Sequence, residues 1–329
     1  MPHSIDPAEA RRALLEKYLR GDLPKKDTAT EIDVEDVLSQ PIQTGEVHAR
    51  ARAVPIQTAG TQRPFFYLHG DWNGKIFYCY PLAKALGEDQ PFYLLDPYNF
   101  DGLAVPPRFE DMVAAHIKTM RSIQAEGPYM LGGWCNGGLI AYEMTLQLLK
   151  AGQQVDVVLL LDADYPAMPH LRKLRRNVNL LGKVLHLSAR KQLDLFLLYK
   201  HMRSLFHFWR VKDYARLRGV IKLGEWDKRQ GLARLKLPSS EVLRRDWAGI
   251  YEWSAAAYTP ATYPGRVTFL WDEVDLWRRV GWRDIVAAKG SEVETYIMTG
   301  NHFTCRTDYL HILANYVAQA IKEGHTPLA

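Results

Sequence analysis

The sequence predicts an α/β fold in which a mostly parallel central sheet is flanked by helices and carries a helical lid insertion. Three observations predict it. Strand-like and helix-like patterns alternate through residues 65–151, as a parallel sheet covered on both faces requires. Near-continuous apolar, β-branched runs return later at residues 155–161, 267–271 and 293–298, the composition of strands buried on both faces. Between the first two of these runs the alternation stops for about 100 residues, and helical periodicity replaces it.

Taken in order, the chain opens with Asp6, Pro7 and Glu9: a helix cap, a proline suited to the first helical position, and an acid in the first turn. This predicts an amphipathic helix to about Gly21, followed by a polar, poorly periodic stretch, so residues 1–53 are expected to be an N-terminal helix and linker ahead of a domain spanning 54–329. The first core strand is Phe65-Phe66-Tyr67-Leu68. The run Tyr129-Met130-Leu131 then leads into Gly133-Trp134-Cys135-Asn136-Gly137-Gly138, after which Leu139 to Leu149 has the spacing of a helix. A G-x-nucleophile-x-G step from strand to helix is the nucleophile elbow of α/β hydrolases, where glycines are needed because the turn is tight and crowded. Cys135 is the candidate nucleophile.

An α/β-hydrolase places nucleophile, acid and histidine in that chain order. The run 155–161 ends in Asp162, the leading acid. The run 267–271 ends in Asp272, the alternative acid, with Glu273 and Asp275 close behind. The last run leads through Thr299, Gly300 and Asn301 to His302. Each candidate stands at the end of a strand-like segment, in the order a nucleophile, acid and base need. Cys305 is a rival thiol but lies outside any elbow, so a structural role is expected for it. Apolar-periodic stretches within 193–199 and 205–209 argue helices, and the lid is expected over about residues 165–260.

With 329 residues, 47% hydrophobic and 24% charged, the chain can bury a full core. Three cysteines make no disulfide framework and fit a reducing compartment. There is no apolar leader and no run of 18 apolar residues, so no membrane span is expected and the cytoplasm is the expected compartment. No His/Cys/acid cluster has metal-ligand spacing, and the glycine pairs miss both phosphate-loop patterns. Residues 165–245 hold 20 Lys or Arg against 5 Asp or Glu, an excess of 15, whereas the whole chain is only +5. Such asymmetry asks for an acidic partner. Nucleic acid is not expected, because no recognition motif accompanies the charge.

The chain resembles the thioesterase domains that terminate nonribosomal peptide and polyketide assembly lines, and their stand-alone relatives. The resemblance is carried by Val54-Pro55-Ile56-Gln57, Phe65 to Gly70, Tyr80-Pro81-Leu82-Ala83, Gln90-Pro91-Phe92-Tyr93, the block from Gly132 to Met144, Leu160-Leu161-Asp162 and Gly300-Asn301-His302-Phe303. It covers roughly residues 54–322 and implies an acid after the strand that follows the nucleophile, which favours Asp162 over Asp272. It also implies an oxyanion hole built from the backbone N–H groups of Asn136 and Asp71. Two departures stand out: Cys135 replaces the usual Ser, and Asn301 stands where Asp commonly precedes the histidine.

The resemblance implies no bound cofactor. It implies a substrate carried on the phosphopantetheine of an acidic acyl or peptidyl carrier protein, or on coenzyme A, whose phosphates would suit Arg172, Lys173, Arg175 and Arg176. Those cations have a simpler reading as wet faces of lid helices. A cysteine keeps a transferred acyl group as a thioester, so transfer to a thiol, an amine or an internal nucleophile is expected over hydrolysis. The alternatives are a hydrolytic editing or releasing thioesterase, a cysteine-dependent small-ester hydrolase, and a non-catalytic binding protein on the same scaffold.

Overall fold

The computed structural model describes residues 50–70, 72, 76–164, 169–214, 237–274, 278–286 and 292–324. The expected N-terminal helix and most of its linker, and Asp71, lie outside the described residues.

Among the described residues, seven strands form one sheet: β1 (Ala53–Gln57), β2 (Phe65–Leu68), β3 (Phe92–Leu95), β4 (Tyr129–Trp134), β5 (Val155–Leu161), β6 (Arg266–Asp272) and β7 (Glu292–Met298). Their spatial order is β1-β3-β2-β4-β5-β6-β7. Only the edge strand β1 runs antiparallel, against β3, and the other pairings are parallel. Helices α1 (Cys79–Ala85), α2 (Phe109–Arg121) and α3 (Asn136–Lys150) connect the early strands. After β5 come α4 (Pro169–Val184), α5 (Ala189–Arg210), the one-turn α6 (Ser240–Leu243) and α7 (Trp247–Ala255). Helix α8 (Arg278–Val286) links β6 to β7, and α9 (Leu310–Gly324) closes the described chain.

Alternation along each strand splits the core in two. Phe66, Leu68, Leu131, Val158, Leu160 and Phe269 face one side, packing with α2, α3 and α8. Phe65, Tyr67, Met130, Leu159, Leu161 and Leu270 face the other, against α1 and α9. Both faces are therefore dry, which explains why these strands read as unbroken apolar runs rather than alternating ones. Buried residues of α4, α5 and α7, among them Val178, Phe196 and Tyr251, continue the first of these clusters. The segment after β5 thus packs into the core through its apolar stripes.

Register decides what meets at the top of the sheet. Leu68 pairs with Gly133, Trp134 with Leu161, Leu161 with Leu270, and Asp272 with Met298. The carboxyl ends of β2, β4, β5, β6 and β7 therefore lie abreast, where open α/β sheets gather their functional loops.

Candidate active site

Cys135 occupies the step from β4 to α3 with φ 52° and ψ −120°, a strained position for a residue with a Cβ. Backbone hydrogen bonds hold it there. Its N–H donates to Leu161 O at 2.9 Å, and its carbonyl accepts from the N–H groups of Gly138 at 3.0 Å and Asp164 at 3.1 Å. The flanking glycines are required by contact: a Cβ on Gly133 would overlap the carbonyl of Gly137, and one on Gly137 would overlap the carbonyl of Leu68. Helix α3 starts at the next residue, so its uncompensated N–H groups and the positive end of its dipole face the sulfur.

Asp162 follows β5 with φ 43°, is fully buried, and donates its N–H to Leu270 O at 2.6 Å. Its Oδ2 meets His302 Nδ1 in a short direct contact. Trp134 Nε1 donates to the other ring nitrogen, Nε2, at 3.4 Å, and the two rings lie 5.3 Å apart. With Nδ1–H directed at Asp162 and the Nε2 lone pair on the opposite side, the imidazole has the tautomer of a general base. The loop that carries it is braced through Gly300 N–H to Glu273 Oε1 at 2.9 Å. Asn301 Oδ1 accepts from the N–H groups of Phe303 and Thr304 at 2.9 and 3.1 Å, capping the short 3₁₀ turn Thr304–Arg306.

The alternative acid is close as well. Asp272 is buried, and one ligand atom each from Asp162, Asp272 and His302 lies within 4.8 Å of the other two. Asp272 Oδ1 accepts from Val274 N–H at 3.0 Å, whereas Asp162 takes the imidazole. The direct Asp162–His302 contact leaves no room for a cation between them. Cys305 sits below: burial, and then the negative charges of Asp162 and Asp272, push its thiol up to about 12, so it stays protonated and unreactive.

Asp164, which sequence reasoning missed, brings a third carboxylate to the site. Its Oδ2 lies 3.5 Å from Cys135 Sγ. In the amide orientation that satisfies both neighbours, Asn136 donates to Asp164 Oδ2 at 2.7 Å and accepts from Trp72 Nε1 at 3.2 Å. Its place two residues past Asp162, on a loop at the carboxyl edge of the sheet, was the available signal. For the oxyanion, Asn136 stands at the start of α3 as expected. Of the other proposed donor, only the approach is described: Gly70, at φ 65°, packs so close to the elbow that a Cβ would overlap Trp134 O.

The four lid cations divide. Arg172 donates to Tyr258 O and Thr259 Oγ1, both at 2.6 Å. Arg175 donates to the carbonyls of Trp253 and Ser254 and lies over the Trp253 ring, where burial lowers its guanidinium to about 10. These two tie α4 to the end of α7. Lys173 and Arg176 are exposed, and Arg176 joins Arg172, Arg175 and Lys183 around a cleft of about 310 Å³. A larger cavity of about 460 Å³ lies between the loop after β3 and helices α5 to α7. Trp72 lies tilted against both Phe100 and Tyr251, with ring centroids 5.8 and 5.1 Å away, and Tyr251 donates its hydroxyl to Asn136 O at 3.1 Å.

Comparison with known proteins gives this geometry a family. Residues 74–320 match the family described as thioesterase domain. The chain belongs to the thioesterase domain family. A dimodular nonribosomal peptide synthase of Bacillus subtilis is 36% identical to this thioesterase domain over 115 residues, covering 34% of this chain and 5% of the synthase. The polyketide synthase PksR of the same organism is 33% identical over 125 residues, 38% of this chain and 5% of its own length. This thioesterase domain thus spans about a twentieth of the curated relatives it matches. Its fold is shared with the NocB thioesterase domain, solved as a covalent complex with a fluorophosphonate nocardicin G analog, at 20% identity and a TM-score of 0.50 over 83% of this chain and all of that one. The mostly parallel sheet flanked by helices is that of the α/β hydrolases. Among the described residues, no helix is long and apolar enough to cross a membrane.

Proposed function

We propose that Cys135, His302 and Asp162 form a triad that takes an acyl, aminoacyl or peptidyl group from the phosphopantetheine thioester of a carrier protein and passes it to a thiol, an amine or a nucleophile within the cargo. The observation that carries this is the cysteine at the elbow of a thioesterase domain, on the same sheet edge as an imidazole oriented by a buried carboxylate. His302 Nε2 accepts the thiol proton, and the sulfur attacks the thioester carbonyl. The backbone N–H of Asn136, with that of Asp71, meets the oxyanion. Collapse breaks the carbon–sulfur bond to pantetheine, and the imidazolium returns its proton to the leaving thiolate. The acceptor then repeats these steps with Cys135 as leaving group.

A serine would drop the cargo to an oxygen ester. Cys135 keeps it a thioester, so the exchange is nearly level, and onward transfer is level to a thiol and downhill to an amine. The excess of lid cations supports an acidic carrier as the partner, with exposed Lys173 and Arg176 better placed to meet it than Arg172 and Arg175, which are engaged inside the protein. Coenzyme A is the second possible bearer of the same pantetheine arm.

Hydrolytic release is the second reading, favoured by the likeness to synthase thioesterase regions. The test is intact-protein mass spectrometry of wild type and Cys135→Ala after exposure to an acylated carrier, followed by product analysis with thiol and amine acceptors present. A mass increase confined to wild type and an acceptor adduct are expected. Free acid as the sole product would replace transfer by hydrolysis, and an adduct retained by Cys135→Ala would overturn the triad.

A further inference from the structure

Asp164 has no part in the triad described above, because the imidazole is oriented by Asp162. It is nonetheless one of the most firmly positioned side chains at the nucleophile. Its N–H donates to Cys135 O at 3.1 Å, and its carbonyl accepts from Trp282 Nε1 at 3.2 Å, which also donates to Ala163 O. The Asn136 amide reaches the carboxylate at 2.7 Å and is itself fixed by Trp72. The result is one carboxylate oxygen held 3.5 Å from Cys135 Sγ.

That placement works against the nucleophile. A negative charge beside a thiol disfavours the thiolate, and the thiolate is the form that attacks. A carboxylate held there by the Asn136 amide, on a residue whose N–H and carbonyl are both bonded, therefore calls for a benefit other than thiol activation. Once the sulfur is acylated, an amino group on the carbon next to the carbonyl is three bonds from it, roughly 3 Å through space. The Asp164 oxygen, 3.5 Å from the same sulfur, therefore borders the space in which such an amino group must lie. The charge such a group carries is the one that offsets the carboxylate, and an N⁺–H···O⁻ bond is among the stronger hydrogen bonds. Tyr251, packed at the same place, keeps its proton because burial, and then the charges of Asp164 and Cys135, push its ionisation well up, so it adds no second anion.

Resting on the proposed acyl transfer at Cys135, we infer that Asp164 is a specificity-determining residue that binds the ammonium of an α-aminoacyl group, making aminoacyl thioesters the substrate class of this site. The acceptor, if it is an amine, would bring the same chemistry from the other side of the reaction. The placement beside the sulfur assigns the carboxylate to the cargo.

The experiment compares alanyl and propionyl groups on the phosphopantetheine of one carrier protein, following single-turnover loading of Cys135 by intact-protein mass. Wild type is expected to load alanyl about 10- to 100-fold faster, the range of one charge-assisted hydrogen bond. Asp164→Asn, which keeps the shape and removes the charge, is expected to bring the alanyl-to-propionyl loading ratio to within about twofold of one, whichever way the absolute rates move. Equal loading of the two cargoes by wild type overturns the inference whether or not the variant folds. An equal fall for both cargoes in Asp164→Asn overturns it in favour of a structural role. If Asp164→Asn slows only transfer to an added amine, the ammonium belongs to the acceptor and the assignment to the cargo is wrong. These outcomes leave transfer through Cys135 standing, whereas no adduct from either cargo removes that reading and this one together.

Discussion

The indole N–H of Trp134 lies 3.4 Å from Nε2 of His302, on the nitrogen opposite the one that meets Asp162. A donor at that distance makes a weak hydrogen bond, strong enough to steady the ring and weak enough to yield the lone pair to a stronger donor. Trp134→Phe keeps an aromatic ring against the imidazole and removes the donor. Alkylation of Cys135 by iodoacetamide at pH 7 is expected to speed up about two- to fivefold in Trp134→Phe and to slow at least tenfold in His302→Ala, whose base is gone. A slower reaction in Trp134→Phe would mean that the indole is needed to place the imidazole.

Both acids come within reach of His302, and Asp162 meets its Nδ1 directly. Asp162→Asn is expected to cut the rate of Cys135 acylation by about 10³- to 10⁴-fold, as loss of the orienting carboxylate does in related triads. Asp272→Asn is expected to cost no more than about tenfold. Stopped-flow or quenched-flow loading of the two variants checks this. The reverse ranking would transfer the role to Asp272.

These two residues also show what the sequence could convey. Cys135, Asp162, Asp272 and His302 were legible because each ends a strand whose burial on both faces leaves an unbroken apolar run, and parallel register then brings strand ends abreast. Asp164 was not, since its 3.5 Å approach to the sulfur depends on the turn after β5, on the Trp282 indole of α8 and on the Asn136 amide, all assembled in three dimensions. The roles of Arg172 and Arg175 were hidden for another reason. A count of charges cannot distinguish a guanidinium facing water from one facing the backbone carbonyls of a neighbouring helix.

The elbow glycines make a steric prediction. Gly137→Ala would drive a methyl into the carbonyl of Leu68, and Gly133→Ala into that of Gly137, and backbone atoms of a central strand or of the helix packed on it cannot yield as a flexible side chain would. Each variant is expected to lose about 1–3 kcal/mol of stability together with its Cys135 loading. Thermal unfolding beside the loading assay checks both. An unchanged melting temperature in Gly137→Ala would show that β2 and α3 are less tightly opposed than described.

His116 on α2 is fully buried against Tyr98, and neither ring nitrogen has a hydrogen-bond partner among the described residues. Burial lowers its ionisation from 6.5 to about 4. Below pH 6.5 the unfolded chain therefore binds a proton that the folded one refuses, so stability falls with pH across the window from about 6.5 down to 4, by about 3 kcal/mol in total. His116→Phe is expected to flatten that acid limb in urea unfolding followed from pH 7 to pH 4. An unaltered limb would place the acid sensitivity elsewhere.

The backbone of Cys135 is stitched directly to the acid-bearing turn, through its N–H to Leu161 and its carbonyl to Asp164. Nucleophile and carboxylate therefore travel as one piece, and no side-chain replacement can pry them apart. Admission of a bulky guest must then fall to the segments that flank this seam, the histidine loop and the helices beyond β5. Enlarging the range of guests is a task for those outer walls, with the seam left untouched.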